Sequence, residues 1–435
     1  MKRRMVICVA ILALVPATCA LLRKGNRPVR LKDGSLLGVA SIRYGRTNQF
    51  LIGNFVERTF GRFLPRAGIS LFGFKLAPPE RIAFSGAEGT KLAIMFRLQN
   101  ANDPGNPLLP ANLYQHSRLL LISDDGFAYY GRFGGFLKHG KAYYGFGSAT
   151  AFPQEGRDMR IRIELMKGGD WRKQIAGTWR SLAEFRVRNP GDARPESWIA
   201  DPAQLSKRVG DLEVALGGVL VVQTPTNFAI TRPDFCAMVP FQTRFGGQTS
   251  TNWRAHDIVL SDSVGNSIAP CSPISITNGW RNYASWGVLD PRRVWKVHAE
   301  FALDSGFSGD ELCTLQVQQY PLANPLRTNF HGIPVQAEYD PIEIDKLAIY
   351  LTNPQEGTRL TLVNAHNEDG HPLHGWSDSQ HKFSISINVP KAGTIVTTTF
   401  AIHKNVPLEF FTQPKLTEPL GMIGRASVNE SARSP

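Results

Sequence analysis

Three stretches of this 435-residue chain carry one pattern, and that pattern constrains the fold more than any other feature. Each is an apolar run that breaks at a glycine, followed by a proline and then by strictly alternating apolar residues. The runs are Leu120-Leu121-Ile122-Ser123 to Gly126, His256-Asp257-Ile258-Val259-Leu260 to Gly265, and Leu360-Thr361-Leu362-Val363 to Gly370; the prolines are Pro153, Pro291 and Pro390. At six, eight, ten and twelve residues past each proline lie Met159, Ile161, Ile163 and Leu165; Val297, Ala299, Phe301 and Leu303; and Val396, Thr398, Phe400 and Ile402. Thr398 alone is not apolar, and it is β-branched. A two-residue period puts one set of side chains on one face of a strand, so each run reads as a half-buried strand rather than a helix. Proline is tolerated at a strand's start because it lacks only a donor. Lys91-Leu92-Ala93-Ile94 also recurs as Lys346-Leu347-Ala348-Ile349. Three related β-units follow from the shared register.

The expected fold class is all-β: tandem β-sandwich-like (Ig-like) units after an N-terminal signal or anchor segment. Asn189-Pro190-Gly191-Asp192-Ala193-Arg194-Pro195 is the clearest linker. The domains read as 1–22 signal peptide or anchor, 23–190 basic unit, 205–325 second unit, 330–414 third unit and 415–435 flexible tail. Scattered glycine and proline, 40 and 29 residues, suit many short strands and turns. Asp33-Gly34 predicts a two-residue hairpin turn. Residues 54–64 have the spacing of a short amphipathic helix, and Trp280-Arg281-Asn282-Tyr283 reads as a surface loop.

Lys2-Arg3-Arg4 precedes residues 5–22, which carry no charge, and Arg23-Lys24 ends the stretch. A basic start, a short apolar core and small residues after Pro16 fit a cleaved signal peptide; eighteen uncharged residues also reach the lower limit for a transmembrane helix. Either way the chain is exported to the periplasm, cell envelope or extracellular space, free or tethered by residues 5–22.

The net charge of +13 is unevenly spread. Residues 23–190 hold 27 Lys and Arg against 12 Asp and Glu, whereas residues 191–435 hold 19 against 24. A basic unit beside an export signal suits an anionic membrane surface, an acidic glycan or another envelope protein; an exported chain has no call on nucleic acid. The plain alternative is a solvated basic surface without a partner. Cys236, Cys271 and Cys313 remain after the leader; Cys236–Cys271 is one pairing an oxidising compartment permits, and buried free thiols are the other outcome.

Two clusters are candidate sites. The Gly-aromatic run of residues 129–147 interleaves rings with cations, and Tyr130, Arg132, Lys138, Lys141 and Tyr144 would stack on a sugar or hold an anionic glycan. Its bland counterpart is a Gly-kinked hairpin whose rings fill a core. His366, His371 and His374 lie on one polar stretch and would serve a divalent metal, unless that stretch is an ordinary hairpin loop. No other cofactor is suggested. No P-loop, dinucleotide fingerprint or HExxH occurs, and Gly306-Phe307-Ser308-Gly309-Asp310 lacks the final glycine of a nucleophile elbow, so no catalytic residue is assigned.

Leu31-Lys32-Asp33-Gly34, Tyr44-Gly45, Ala151-Phe152-Pro153, Ala183-Glu184-Phe185, Asn189-Pro190 and Gly210-Asp211-Leu212-Glu213-Val214 together resemble a group of exported proteins of environmental bacteria without an assigned activity, over residues 30–305. That resemblance implies a secreted β-rich design and carries no site residues. The expectation is a non-catalytic binding or structural module of the envelope. The alternative is a glycan-active extracellular hydrolase whose carboxylates converge from distant strands.

Overall fold

The computed structural model describes residues 27–44, 49–52, 69–71, 74–76, 80–83, 91–100, 117–139, 142–167, 178–189, 195–201, 206–223, 235–268, 272–318, 325–340, 345–387 and 395–417. All regular structure among them is β-strand, in seven sheets. Among these residues no helix is long and apolar enough to cross a membrane. The leader at 5–22, the helix read at 54–64, Lys141 and Cys271 lie outside the described residues.

The repeat is visible as a shared turn. Gly126, Gly265 and Gly370 each donate to the carbonyl three residues back, Ser123, Asp262 and Asn367, at 3.0 Å. Those same three residues donate to Phe127, Asn266 and His371 at 2.9–3.1 Å. All three glycines take positive φ, from 79° to 88°, where a Cβ would be strained. The hairpin at Asp33-Gly34 is built alike, with Gly34 donating to Leu31 and Leu31 to Ser35. It is a three-residue loop with a glycine bulge instead of the two-residue turn its Asp-Gly predicts, because only Gly34 is left-handed there. Of the twelve alternating residues past the prolines, all but Leu165 and Leu303 are buried.

The first unit is one eight-stranded sheet. Its order is Val29–Arg30, Leu36–Tyr44, Leu92–Gln99, Ala142–Ala149, Ala128–His139, Ser117–Ile122, Asp158–Lys167, Thr178–Arg188. The last strand lies against the first two, so the sheet is nearly closed, like a barrel, where two stacked sheets were expected. Twisted strands close when the sheet bends sharply, and glycine permits the bend. A Cβ on Gly145 would stand 2.7 Å from the Phe136 ring, so the ring packs directly on bare backbone. Phe96, Phe133 and Phe185 fill the interior, with ring centroids 5.2 and 6.3 Å from Phe96.

The middle unit stacks two sheets. Phe241, on the strand Phe235–Phe245 of an eight-stranded sheet, meets Phe301 at 5.1 Å and Phe410 at 6.0 Å from a four-stranded sheet. Trp280-Arg281-Asn282-Tyr283 belongs to the strand Trp280–Trp286, not to a loop. Asn278 and Gly279, at φ 52° and 78°, form the two-residue turn that returns the chain. The third unit stacks a three-stranded on a five-stranded sheet, with Phe400 against Phe330 and Phe383.

Strand pairing crosses the boundary expected near residues 325–330. Trp295–Leu303 pairs with Val406–Thr412, and Leu312–Val317 pairs with Val396–Lys404. Residues 312–404 are thus inserted between two neighbouring strands of the middle unit. Their buried apolar side chains form their own cluster, whereas the first and middle units share one.

Candidate functional site

The first and middle units meet through the repeated parts themselves. The turn at 262–266 of the middle unit docks on residues 150–156 of the first. Asn266 Oδ1 accepts from the Phe152 amide at 3.0 Å and from Gln154 Nε2 at 2.9 Å, and the Ser267 amide reaches the Thr150 carbonyl. Lys91 Nζ donates to the Gly265 carbonyl. Reciprocally, the first unit's turn at 123–127 faces residues 290–293 of the middle unit, where Arg292 pairs with Asp125. Arg293 pairs with Glu155. These two lie two residues past Pro291 and Pro153, so equivalent positions of the repeat meet each other. The junction is a two-fold arrangement within one chain: turn on loop, and loop on turn.

Between these elements lies a cleft of about 190 Å³, lined by Asp124, Asp125, Tyr129, Glu155, Asp290 and the two arginines among others. Arg292 holds Asp290 through two bonds, at 2.8 and 2.6 Å, as well as Asp125. Hydrogen bonds that Arg292 donates to Asp290 first, and then to Asp125, raise its pKa against the effect of burial. Burial works to raise Asp125, yet bonds from Ser123 and Arg292 hold it below the usual carboxylate range. Asp262 is fully buried; burial pushes its pKa up, against bonds to its carboxylate from Asn266 and Val264. Tyr129, on the floor, is raised well above its ordinary value by burial and then by Asp262 and Asp290. Asp125, Glu155 and Asp290 are each already held by an arginine, so the arrangement locks two units together as fixed charges.

The residues singled out from sequence fall elsewhere. Tyr130 is half-buried against Leu120, Ile122 and Ala128, and the Arg118 guanidinium lies 5.6 Å from its ring. Tyr144 is buried with Phe50, Met95 and Phe146. Arg132 and Lys138 are exposed, and Lys138 lies 5.9 Å from the Tyr143 ring. Arg132 pairs with Ser148 and Leu137 with Tyr144, four residues apart along one strand, or roughly 13 Å. The described residues of the run therefore do not gather into one platform.

His366 bonds through Nδ1 to the Asn367 carbonyl at 3.0 Å, the His371 amide donates to Asn367 Oδ1 at 2.8 Å, and His374 stacks beside Trp376. Among the described residues no three His, Cys, Asp or Glu side chains are gathered as a metal would need. Asn367 caps its turn as Asp262 does, which is the structural task of that loop. Cys236 is buried; Cys313 is buried as well, its thiol pushed up by that burial, and its strand belongs to the third unit's sheet.

Asn266, Gln154, Arg292 and Arg293 belong to no functional motif of the sequence. Their signal is the comparison of residues after the repeated prolines, Gln154-Glu155 against Arg292-Arg293, which differ in charge as docking partners should. Comparison of the chain with protein-family models, curated proteins and solved structures gives no match.

Proposed function

We propose that this chain is an exported cell-envelope protein of tandem sandwich-like, Ig-like units that binds an acidic surface through its first unit, without catalysis. The observation that carries this reading is the one-sided charge: 27 basic against 12 acidic residues over 23–190. Arg132, Lys138, Arg157, Arg180, Arg186 and Arg188 of that unit are exposed. The cleft beside it uses its carboxylates as anchors for arginine, which suits a rigid mount better than proton transfer. Lipid headgroups or acidic glycans supply the matching negative charge, and the attraction is screened by salt.

The test is binding of residues 23–435 to phosphatidylglycerol vesicles and to an acidic polysaccharide across a salt series, with neutral vesicles as the control. Binding should weaken steeply from 50 to 500 mM salt and weaken further in R180Q/R186Q/R188Q. Salt-independent binding, or equal binding to neutral vesicles, would overturn the reading.

A further inference from the structure

The seam between the middle and third units is of a different kind. Arg359, on the third unit's strand Thr358–Asn367, is 8% exposed and donates from Nη2 to His256 Nδ1 at 2.9 Å. His256 belongs to the middle unit's strand Trp253–Asp262. A guanidinium has no lone pair to offer, so this Nδ1 is an acceptor and the ring is neutral, with its proton on Nε2. That Nε2 stands 3.6 Å from Asp304 Oδ1, beyond a hydrogen bond. The strand bulges next to it, and Asp257 takes φ +46°, which brings its carboxylate 3.5 Å from Arg359 Nη1.

A second histidine sits behind the same guanidinium. His403 shares a hydrogen bond with the Thr361 hydroxyl at 3.0 Å and packs on the Phe307 ring. Burial, then the positive charge of Arg359, pushes its pKa down to about 4. The charged and titratable groups facing the pair are Arg254, Asp257, Glu300, Asp304 and Glu311 from the middle unit and its connection, and Arg359 from the third. His256 Nε2, Arg359 Nη1, His403 Nδ1 and Asn405 Oδ1 are all buried without a hydrogen-bond partner.

We propose that this seam is an acid-released latch: protonation of His256 and His403 expels the Arg359 guanidinium and frees residues 312–404 to swing from the middle unit. Protonated Nδ1 of His256 would point a donor at a donor, and protonated His403 would add a second positive charge beside Arg359. Release leaves both cores intact, since the third unit's apolar cluster is separate. The connections that remain are residues 304–311 and Asn405.

The test is hydrogen exchange on the full chain at pH 7.5 and 5.0, corrected for intrinsic rates. It compares strands Trp253–Asp262 and Thr358–Asn367 with the third unit's inner strands Lys346–Leu351 and Lys382–Ser386. If opening returns His403 to water, its shift from 6.5 to about 4 alone raises the seam's opening constant about 30-fold between these pH values, while the inner strands stay protected. H256N/H403Q keeps acceptors in place without titration and should change less than threefold. R359Q, which removes the guanidinium, should be open at both pH values; it decides the matter if the double variant does not fold. A seam unchanged in the wild type, an R359Q seam closed at pH 7.5, a double variant as acid-sensitive as the wild type, or inner strands that lose protection in step would each overturn the latch.

Discussion

The two junctions of this molecule use the same side chains to opposite ends. Where the first unit meets the middle one, Asn266 accepts two donors, Asp262 accepts three, each facing arginine has a carboxylate, and among the described residues Arg293 Nε is the one buried polar atom left without a hydrogen-bond partner. Where the middle unit meets the third, four buried polar atoms have no hydrogen-bond partner and two neutral histidines flank one guanidinium. The more nearly complete a network in a low-dielectric site, the more it stiffens that site, while one with several unpaired atoms is open to any event that changes a charge. The shared core behind the first junction and the separate core behind the second agree with that division.

The most damaging single change should therefore be at the more nearly complete junction. Asn266→Ala strips the acceptor from Phe152 and Gln154 and a donor from Asp262, all fully or nearly fully buried. Leaving such groups unpaired costs about 1–3 kcal/mol each, so a loss of at least about 3 kcal/mol is expected. A urea midpoint within error of the wild type would mean that the turn only touches the first unit.

Acid should separate the junctions next. A neutral histidine whose folded pKa lies below its unfolded one gives stability that is complete above pH 6.5 and is lost as pH falls toward about 4. For His403 the loss amounts to up to about 3 kcal/mol. Asp304 at the same seam is also lowered: burial works to raise it, but the facing His256 and the charge of Arg254 outweigh that, and it too loses stability on acidification. At the other junction the signs oppose: raised Asp262 favours folding as pH falls, and lowered Asp125 disfavours it. Thermal denaturation from pH 7 to 5 should fall in the wild type and flatten in H403Q. An unchanged slope in H403Q would place the acid sensitivity elsewhere.

How much of this was legible in sequence follows from the range of each signal. The strands past the prolines and the glycine turns were readable because their cause is local: a two-residue period and one left-handed residue. The two-residue turn at Asn278-Gly279 is equally local, and it makes Trp280–Trp286 a returning strand where a surface loop is expected from Trp280-Arg281-Asn282-Tyr283 alone. Barrel closure depends on strands near residues 29 and 185 meeting, and no local pattern announces that. The junction was hidden for the same reason, since Asn266 and Phe152 lie 114 residues apart. The insertion of residues 312–404 was hidden too, because a strand does not name its partner. Rings at 129–147 were ambiguous for a physical cause: a tyrosine that fills a core and one that stacks on a sugar obey the same alternation.

A charge swap sharpens the two-fold description of the first junction. Arg293→Glu sets a carboxylate against Glu155 and Asp290, and Glu155→Arg in the same chain should restore an attractive pair. Both side chains are partly exposed, so the coupling in a double-mutant cycle should be about 1 kcal/mol and should shrink in 1 M salt. No recovery in the double variant would mean that Asp290, rather than Glu155, positions Arg293.

The smallest effect on stability should come from Arg186, whose guanidinium meets Asp158 at 3.0 Å while 74% of its side chain faces solvent. Across the same pair of strands Arg162, with 10% exposed, holds Glu184 at 2.7 Å and stands near the buried Glu164. Removing Arg162 leaves the buried Glu164 with Arg118 alone and the partly exposed Glu184 with Arg160 alone, whereas removing Arg186 returns Asp158 to water. Arg186→Gln should shift stability by less than about 0.5 kcal/mol. It should nonetheless weaken binding to anionic vesicles at low salt, because a charge that does nothing for the fold still adds to the field of the basic unit. If Arg186→Gln lowered the melting temperature and left vesicle binding alone, Arg186 would belong to the fold, and the basic surface would have to be sought on another face of the barrel.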